Sequence, residues 1–172
     1  RGVIFRSLHE PRLLDAALEL RIKGFPVVML DQQLEHSRMC SVTCDNYQAG
    51  REAGRELLAM GHRRIGMIAN FQAQTNRRRW SGLRDQAADA GVLLDRRWMI
   101  DLDVTDPLGD WTPKILDATR RVLESDDGPT AVLYNDDRAA AIALRHLTRM
   151  GVSVPEQLSI VGSGHTSLAQ LA

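Results

Sequence analysis

The sequence has 172 residues, of which 44% are hydrophobic and 26% are charged, a balance typical of a folded domain with an ordinary apolar core. Lys and Arg together number 22, and so do Asp and Glu, so the chain has no net basic field to attract nucleic acid. No apolar run approaches the roughly 20 residues that span a bilayer, and RGVIFRSLHE at the start lacks the apolar core of a signal peptide. These features exclude a disordered chain and favour a cytoplasmic protein without a membrane partner.

Apolar runs alternate with helical repeats along the first 60 residues. A continuous apolar run predicts a buried strand, whereas apolar residues that recur every three or four positions predict a helix. Gly24 and Gly61 end the two helices, because glycine readily takes the left-handed conformation at a helix C-terminus. The predicted elements are a strand at 2–5, a helix at 11–23, strands at 25–30 and 41–44, and a helix from Asp45 or Asn46 to Met60.

The same plan continues to the end of the sequence. Gly91 and Gly151 end two further helices, and the last helix is expected to turn Ile142, Ala143, Leu147 and Met150 inward. Trp98 is expected to open a strand. The predicted elements are strands at 64–70, 98–104, 130–135 and 158–162, which alternate with helices near 76–90, 112–124 and 136–150.

Strands that are apolar throughout and alternate with helices predict an α/β fold, with parallel sheets covered by helices on both faces. Ligands of such sheets bind beyond the carboxyl ends of the strands. Those ends carry polar side chains in this sequence, at Arg6, at 45–48, at 70–79, at Asn135 with Asp136, and at 163–165. The chain also begins with one strand and stops soon after another, so we expect it to be part of a longer protein.

The usual signatures of catalysis and of cofactor binding are missing. Neither G-x-G-x-x-G nor G-x-x-x-x-G-K-[ST] occurs, and Gly162-Ser163-Gly164 is too short for the hydrolase motif G-x-S-x-G. Cys40 and Cys44 are not spaced as C-x-x-C, and no second Cys/His cluster accompanies them, so we expect reduced, structural thiols. The sequence therefore predicts no enzyme, no cofactor and no metal site.

Several polar residues have both a structural and a functional interpretation. Asp136 and Asp137 stand where a helix begins, which capping alone explains, although they also follow a strand. The run 77–79 of three arginines is either a solvated charge run or places one guanidinium in a ligand cleft. Trp111 either stacks on a sugar face or covers the end of the helix at 112–124.

Four ordered blocks of the sequence belong together: SVTCDNYQAGREAGRELLAMGHRRIGMI at 41–68, RRRWSGLRDQAADAG at 77–91, TAVLYNDDRAAAIALRHL at 130–147 and GVSVPEQLSIVG at 151–162. In this order they resemble one family of bacterial repressors, the lactose/galactose-repressor (LacI/GalR) type. The resemblance extends from Gly2 to about Gly162. It implies a periplasmic-binding-protein-like core of two α/β subdomains that hold a small-molecule effector between them, with 1–60 in the N-terminal subdomain and 61–172 in the C-terminal one.

The resemblance also implies the remaining partners and the function. Operator DNA would bind through a helix-turn-helix region absent from these residues, and the protein would be a homodimer whose DNA affinity changes when a sugar or related metabolite moves the subdomains. The alternative is a periplasmic sugar-binding protein of a transporter, which shares the fold.

Residue by residue, the resemblance assigns six ligand contacts. Arg79 matches an arginine that grips effector hydroxyls or a carboxylate, and Asn135 matches the polar residue that ends the next cleft strand. The other matching positions are Trp111, Gln48, Arg6 and His165. At Ser163-Gly164-His165 the sequence departs from the family, which usually has an aromatic residue and then one or two aspartates. Either His165 contacts a different, more anionic effector, or the loop has lost effector specificity, or it is a plain solvent-facing loop.

Overall fold

The computed structural model describes residues 1–6, 11–31, 39–104, 109–164 and 166–167. The chain divides into two compact units, Arg1–Asn46 and Tyr47–Ala172. The boundary between these units falls after the first residue of the helix that the prediction had assigned to the N-terminal subdomain. The division into subdomains at 1–60 and 61–172 stays a prediction.

The first unit is built on a parallel sheet with the strand order β1-β2-β3. Ala17 of helix α1 is fully buried, as are Val27 and Met29 on one face of the sheet. On the other face, Ile4 is 67% exposed and Val42 is 61% exposed. The sequence had predicted helices over both faces of the sheet, so this exposed face differs from the prediction. The elements are β1 (Val3–Arg6), α1 (Pro11–Ile22), β2 (Val27–Leu30) and β3 (Cys40–Val42).

The second unit has a parallel sheet with the strand order β5-β4-β6-β7. Every residue of β4 and of β6 is buried, because these two central strands are covered on both faces, as predicted. The elements are α2 (Asn46–Ala59), β4 (Ile65–Ala69), α3 (Gln74–Asp89), β5 (Met99–Asp101), α4 (Thr112–Leu123), β6 (Ala131–Tyr134), α5 (Asp137–Arg149) and β7 (Ser159–Val161).

Two apolar clusters hold the second unit together. One contains Ile115 of α4, Leu147 of α5 and Tyr134 of β6. The other contains Leu57 of α2 and Leu83 of α3, packed with β4 residues. A central sheet with an apolar cluster on each face leaves the loops at its carboxyl edge as the place for polar side chains.

Local structure departs from the prediction at two positions. Trp98 does not open β5 but ends a short 3-10 helix, Arg96–Trp98, where its ring is buried. Met150 is 51% exposed instead of facing inward, because α5 ends at Arg149 and the chain turns at Gly151, whose φ is 73°. Gly24, Gly61 and Gly91 also have positive φ and follow their helices, as predicted.

Among the described residues, no helix is long and apolar enough to cross a membrane. Cys40 and Cys44 are both free, and both are exposed, so they contribute little to the packing that the prediction of structural thiols implied. In the same ranges no group of three or more His, Cys, Asp or Glu side chains is arranged to hold a metal ion.

Candidate functional site

The loops beyond β4 and β6 form the switch point of the second sheet. The chain leaves β4 toward β5 on one side, and it leaves β6 toward β7 on the other. Loops that diverge in this way open a crevice at the carboxyl edge between the two strands, where α/β proteins bind ligands. Asn70 and Phe71 follow β4, and Asn135 and Asp136 follow β6.

Side chains from the start of α3 hold the loop after β4. Asn76 is buried and donates from its Nδ2 to the Asn70 carbonyl oxygen at 2.8 Å. Arg77 donates from its Nη1 to the Phe71 carbonyl oxygen at 2.7 Å. On the other side, Asp101 at the end of β5 accepts from the Phe71 amide at 3.1 Å. This loop is therefore fixed by hydrogen bonds from α3 and β5.

Arg79 and Asn135, the two most specific predictions, lie together at the switch point. The Arg79 Nη1 donates to the Asn135 carbonyl oxygen at 2.8 Å. Arg79 is half-buried, whereas Arg77 and Arg78 are exposed. Arg77 therefore holds the loop after β4, Arg78 fits a solvated charge run, and Arg79 reaches from α3 to the end of β6. That the Arg79 guanidinium faces a ligand stays a prediction.

Asp136 has a structural task beside Asn135. Its Oδ1 accepts from the Ala139 amide at 2.7 Å, which makes it the N-cap of α5, as the sequence predicted. Its Oδ2 accepts from the Asn135 Nδ2, also at 2.7 Å. The Asn135 Oδ1 is buried and has no hydrogen-bond partner among the described residues.

Trp111 lies at the N-cap position of α4 and packs its half-buried ring against the apolar cluster of α4 and α5. The ring also lines a cavity of about 110 Å³ between the N-terminal ends of these helices. The two interpretations of Trp111, ligand contact and cover for a helix end, are therefore compatible. The cavity is lined by Trp111, Thr112, Ile115, Asp136, Arg138, Ala139 and Ile142.

Arg138 is the lining residue that sequence reasoning missed. Hydrogen bonds from Thr112 hold the pKa of the nearby Asp110 carboxyl below its ordinary value, and the positive charge of Arg138 contributes further. Arg138 stands three residues after Asn135 in the first turn of α5, so its side chain begins close to the end of β6. This spacing is the sequence signal from which Arg138 could have been predicted as a site residue.

Tyr134 ties the end of β6 to helix α4 by a buried hydrogen bond. Its hydroxyl lies 2.8 Å from the Thr119 hydroxyl of α4, and both groups are buried. Burial raises the pKa of Tyr134 to about 12, so the phenol stays protonated and keeps this bond at neutral pH. Asn135, the next residue, therefore follows a strand end that is tied to α4.

The other three predicted ligand contacts belong to other parts of the chain. Gln48 is exposed in the first turn of α2, where its Nε2 donates to Glu52 at 3.3 Å. Arg6, in the first unit, ends β1 with its guanidinium 3.5 Å from the Asp31 carboxylate, and both side chains are largely exposed. His165 lies outside the described residues. The structure thus brings Arg79 and Asn135 together, with Trp111 lining a cavity that includes the neighbouring Asp136.

Known proteins resemble this chain along its full length. A family model described as a periplasmic binding protein-like domain matches residues 55–172. The HTH-type transcriptional regulator DegA of Bacillus subtilis is 29% identical over 174 residues, which cover 99% of this chain and 49% of that protein. The chain spans about half the length of the curated relatives it matches.

Two solved structures show the same architecture. A LacI family transcriptional regulator from Mycobacterium smegmatis is 29% identical, with a TM-score of 0.80 over 99% of this chain and 60% of that one. The complex of the transcriptional regulator CelR with cellobiose is 30% identical, with a TM-score of 0.82 over 99% of this chain and 51% of that one.

The fold and the matching family model make this chain a member of the family of periplasmic binding protein-like domains. Within that family its relatives are LacI-type helix-turn-helix regulators, which confirms the resemblance and the fold class predicted from the sequence.

Proposed function

We propose that this chain is the effector-sensing domain of a LacI-type transcription repressor, which binds a sugar or related small metabolite and in response changes the affinity of a dimer for operator DNA. DNA would bind through a helix-turn-helix region outside these residues, in the cytoplasm. The relatives are transcriptional regulators, and one of them, CelR, has been solved in complex with the sugar cellobiose. We propose 1–60 and 61–172 as parts of the two subdomains.

The observation that carries this proposal is the Arg79–Asn135 pair at the switch point of the sheet. A guanidinium presents five N–H donors in a plane, so an arginine that bonds a backbone carbonyl can bond hydroxyl or carboxylate oxygens as well. The Trp111 ring supplies an apolar face of the kind that packs on sugars. Gln48, Arg6 and His165 remain proposed contacts.

The ligand changes the state of the repressor only by binding one arrangement of the subdomains better than the other. Coupling energies between sites of this kind are typically about 1–3 kcal/mol. A ligand that lacks a hydroxyl which a buried donor of the site requires would leave that donor unpaired, at a cost of about 1–3 kcal/mol. Selectivity among similar metabolites follows from that cost.

Two other functions have less support. A transporter's binding protein shares the fold, but the curated relatives DegA and AscG, which match 99% and 84% of the chain, are HTH-type regulators. An enzyme would need a nucleophile with an adjacent base or a metal set at the carboxyl edge. The groups that line the described cavity, Asp136 and Arg138 among them, form no such set. We therefore propose binding without turnover.

The test is ligand binding by matched arginine variants. A thermal-shift screen with cellobiose, ribose, adenosine and glucose 6-phosphate identifies a ligand, because a compound that binds only the folded chain raises its melting temperature. Calorimetry on that ligand then compares Arg79→Ala with Arg78→Ala, its exposed neighbour. We expect affinity to fall by about tenfold or more in Arg79→Ala, which corresponds to about 1.4 kcal/mol, and to stay unchanged in Arg78→Ala. Equal affinities in the two variants would place the ligand elsewhere.

A further inference from the structure

Helices α2 and α3 meet at two glycines that face each other's backbone. A methyl group on Gly50 of α2 would overlap the Arg79 carbonyl oxygen and lie 2.8 Å from the Arg79 carbonyl carbon. A methyl group on Gly82 of α3 would overlap the Tyr47 carbonyl oxygen and lie 2.9 Å from the Arg51 amide nitrogen. The two helices therefore touch backbone to backbone, in a reciprocal contact that no larger residue permits.

Two polar contacts fix the register of this crossing. The Tyr47 hydroxyl donates to the Asp85 Oδ2 at 3.0 Å. One turn further along both helices, the Arg51 Nη2 donates to the Asp89 Oδ2 at 2.7 Å. Sliding or rotating α2 against α3 would break both bonds together with the glycine contact. The pair of helices thus has one preferred arrangement.

The backbone that Gly50 touches belongs to the arginine of the candidate site. Arg79 reaches from that point to the Asn135 carbonyl oxygen, to which its Nη1 donates at 2.8 Å. The position of α2 consequently sets where the Arg79 side chain starts. Helix α2 is also the element that begins at the boundary between the two compact units, at Asn46 and Tyr47.

We propose that Gly50 and Gly82 are positioning residues, through which α2 holds Arg79 in reach of Asn135 and of the ligand. A shift of α2 moves the Arg79 backbone directly, because no side chain lies between the two helices at this point. The role of Arg79 toward a ligand rests on the proposed function, whereas the control of its position by α2 does not.

Hydrogen exchange of the Arg79 Nη protons, one of which forms the bond to Asn135, tests this directly when it is followed by NMR without ligand. Gly50→Ala is compared with Gly54→Ala, because the atoms nearest to a methyl on Gly54 are side-chain atoms of Leu83 and Gln86, at 3.2–3.3 Å. We expect exchange at Arg79 to accelerate by about tenfold or more in Gly50→Ala while the Leu133 amide in β6 changes no more than in Gly54→Ala. A purely structural role would accelerate both protons equally, and that result would overturn the proposal.

A second variant keeps the test decisive if Gly50→Ala does not fold. Tyr47→Phe combined with Arg51→Gln removes both polar contacts and adds no steric overlap. We expect the same selective acceleration at Arg79, and unchanged exchange there would contradict the proposal. Calorimetry with the ligand from the screen separates the two ideas, since affinity unaffected by Arg79→Ala contradicts the proposed function and leaves the exchange result standing.

Discussion

At the scale of single residues, the two polar side chains after β6 differ in how fully their oxygen atoms are hydrogen-bonded. Asp136 uses both carboxylate oxygens within the protein, one on the Ala139 amide and one on the Asn135 side chain. The Asn135 Oδ1 is buried and has no hydrogen-bond partner among the described residues, and an unpaired buried acceptor typically costs about 1–3 kcal/mol. A ligand or a closed arrangement that supplies a donor would recover that free energy.

The capping role of Asp136 has a measurable consequence. Asp136→Ala removes the N-cap of α5, so the free energy of unfolding should fall by about 1 kcal/mol, as measured by urea denaturation. Asp126→Ala is the control, because Asp126 is exposed, and its effect should stay within about 0.5 kcal/mol. Equal losses in the two variants would show that the cap contributes nothing specific.

Sequence reasoning predicted the capping aspartates because a polar residue between a strand and a helix has a fixed local task. It could not distinguish Arg79 from Arg77 and Arg78. Whether a helix residue is exposed or half-buried depends on what packs against the helix, and the sequence does not show that. The family resemblance made that choice, and the bond to Asn135 agrees with it. Arg138 was missed because its proximity to Trp111 depends on how α4 and α5 pack.

At the scale of elements, an ion-pair network joins the turn before β5 to the loop after α4. The Arg97 Nη2 lies 2.6 Å from an Asp95 oxygen and 2.8 Å from an Asp127 oxygen. Hydrogen bonds from Arg97 hold the pKa of both carboxyls below the ordinary value of 3.8. All three side chains are largely exposed, so solvent screening keeps the network weak.

The network predicts a specific pH dependence. Because the carboxyl pKa values are lower in the folded chain than in the unfolded chain, the stabilisation is complete above about pH 4 and is lost as the pH falls through the folded values. The melting temperature of Arg97→Gln should therefore lie below that of the native chain near neutral pH, and the gap should narrow below about pH 4. Arg96→Gln is the control, and a gap that does not narrow in acid would contradict the assignment.

Element positions were largely readable from the sequence, because apolar periodicity and terminal glycines are local signals. The close approach of α2 to α3 was not, since Gly50 and Gly82 look like ordinary helix residues until the two helices are seen together. The exposed face of the first sheet was likewise not predicted. An apolar run such as that of β1 gives no sign of what covers it, and Ile4 is 67% exposed.

At the scale of the whole molecule, the two sheets and the polar edge of the second one make a sensing domain the most economical account. The family, the fold and the regulatory relatives agree. The resemblance leads us to expect an aromatic residue and aspartate where this sequence has Ser163-Gly164-His165. What this difference means for the chemistry of the effector stays a prediction. We propose from the unusual loop and Arg138 a ligand with oxygen acceptors and not one that needs a carboxylate from the protein.

The measurement that tests the central claim most directly is operator affinity of the intact regulator, with its helix-turn-helix region, with and without the ligand that the screen identifies. We predict a change in DNA dissociation constant of about 5- to 150-fold on saturation, the range that coupling of about 1–3 kcal/mol gives, and no change in Arg79→Ala. A ligand that binds the native regulator and leaves its DNA affinity unaltered would contradict the account.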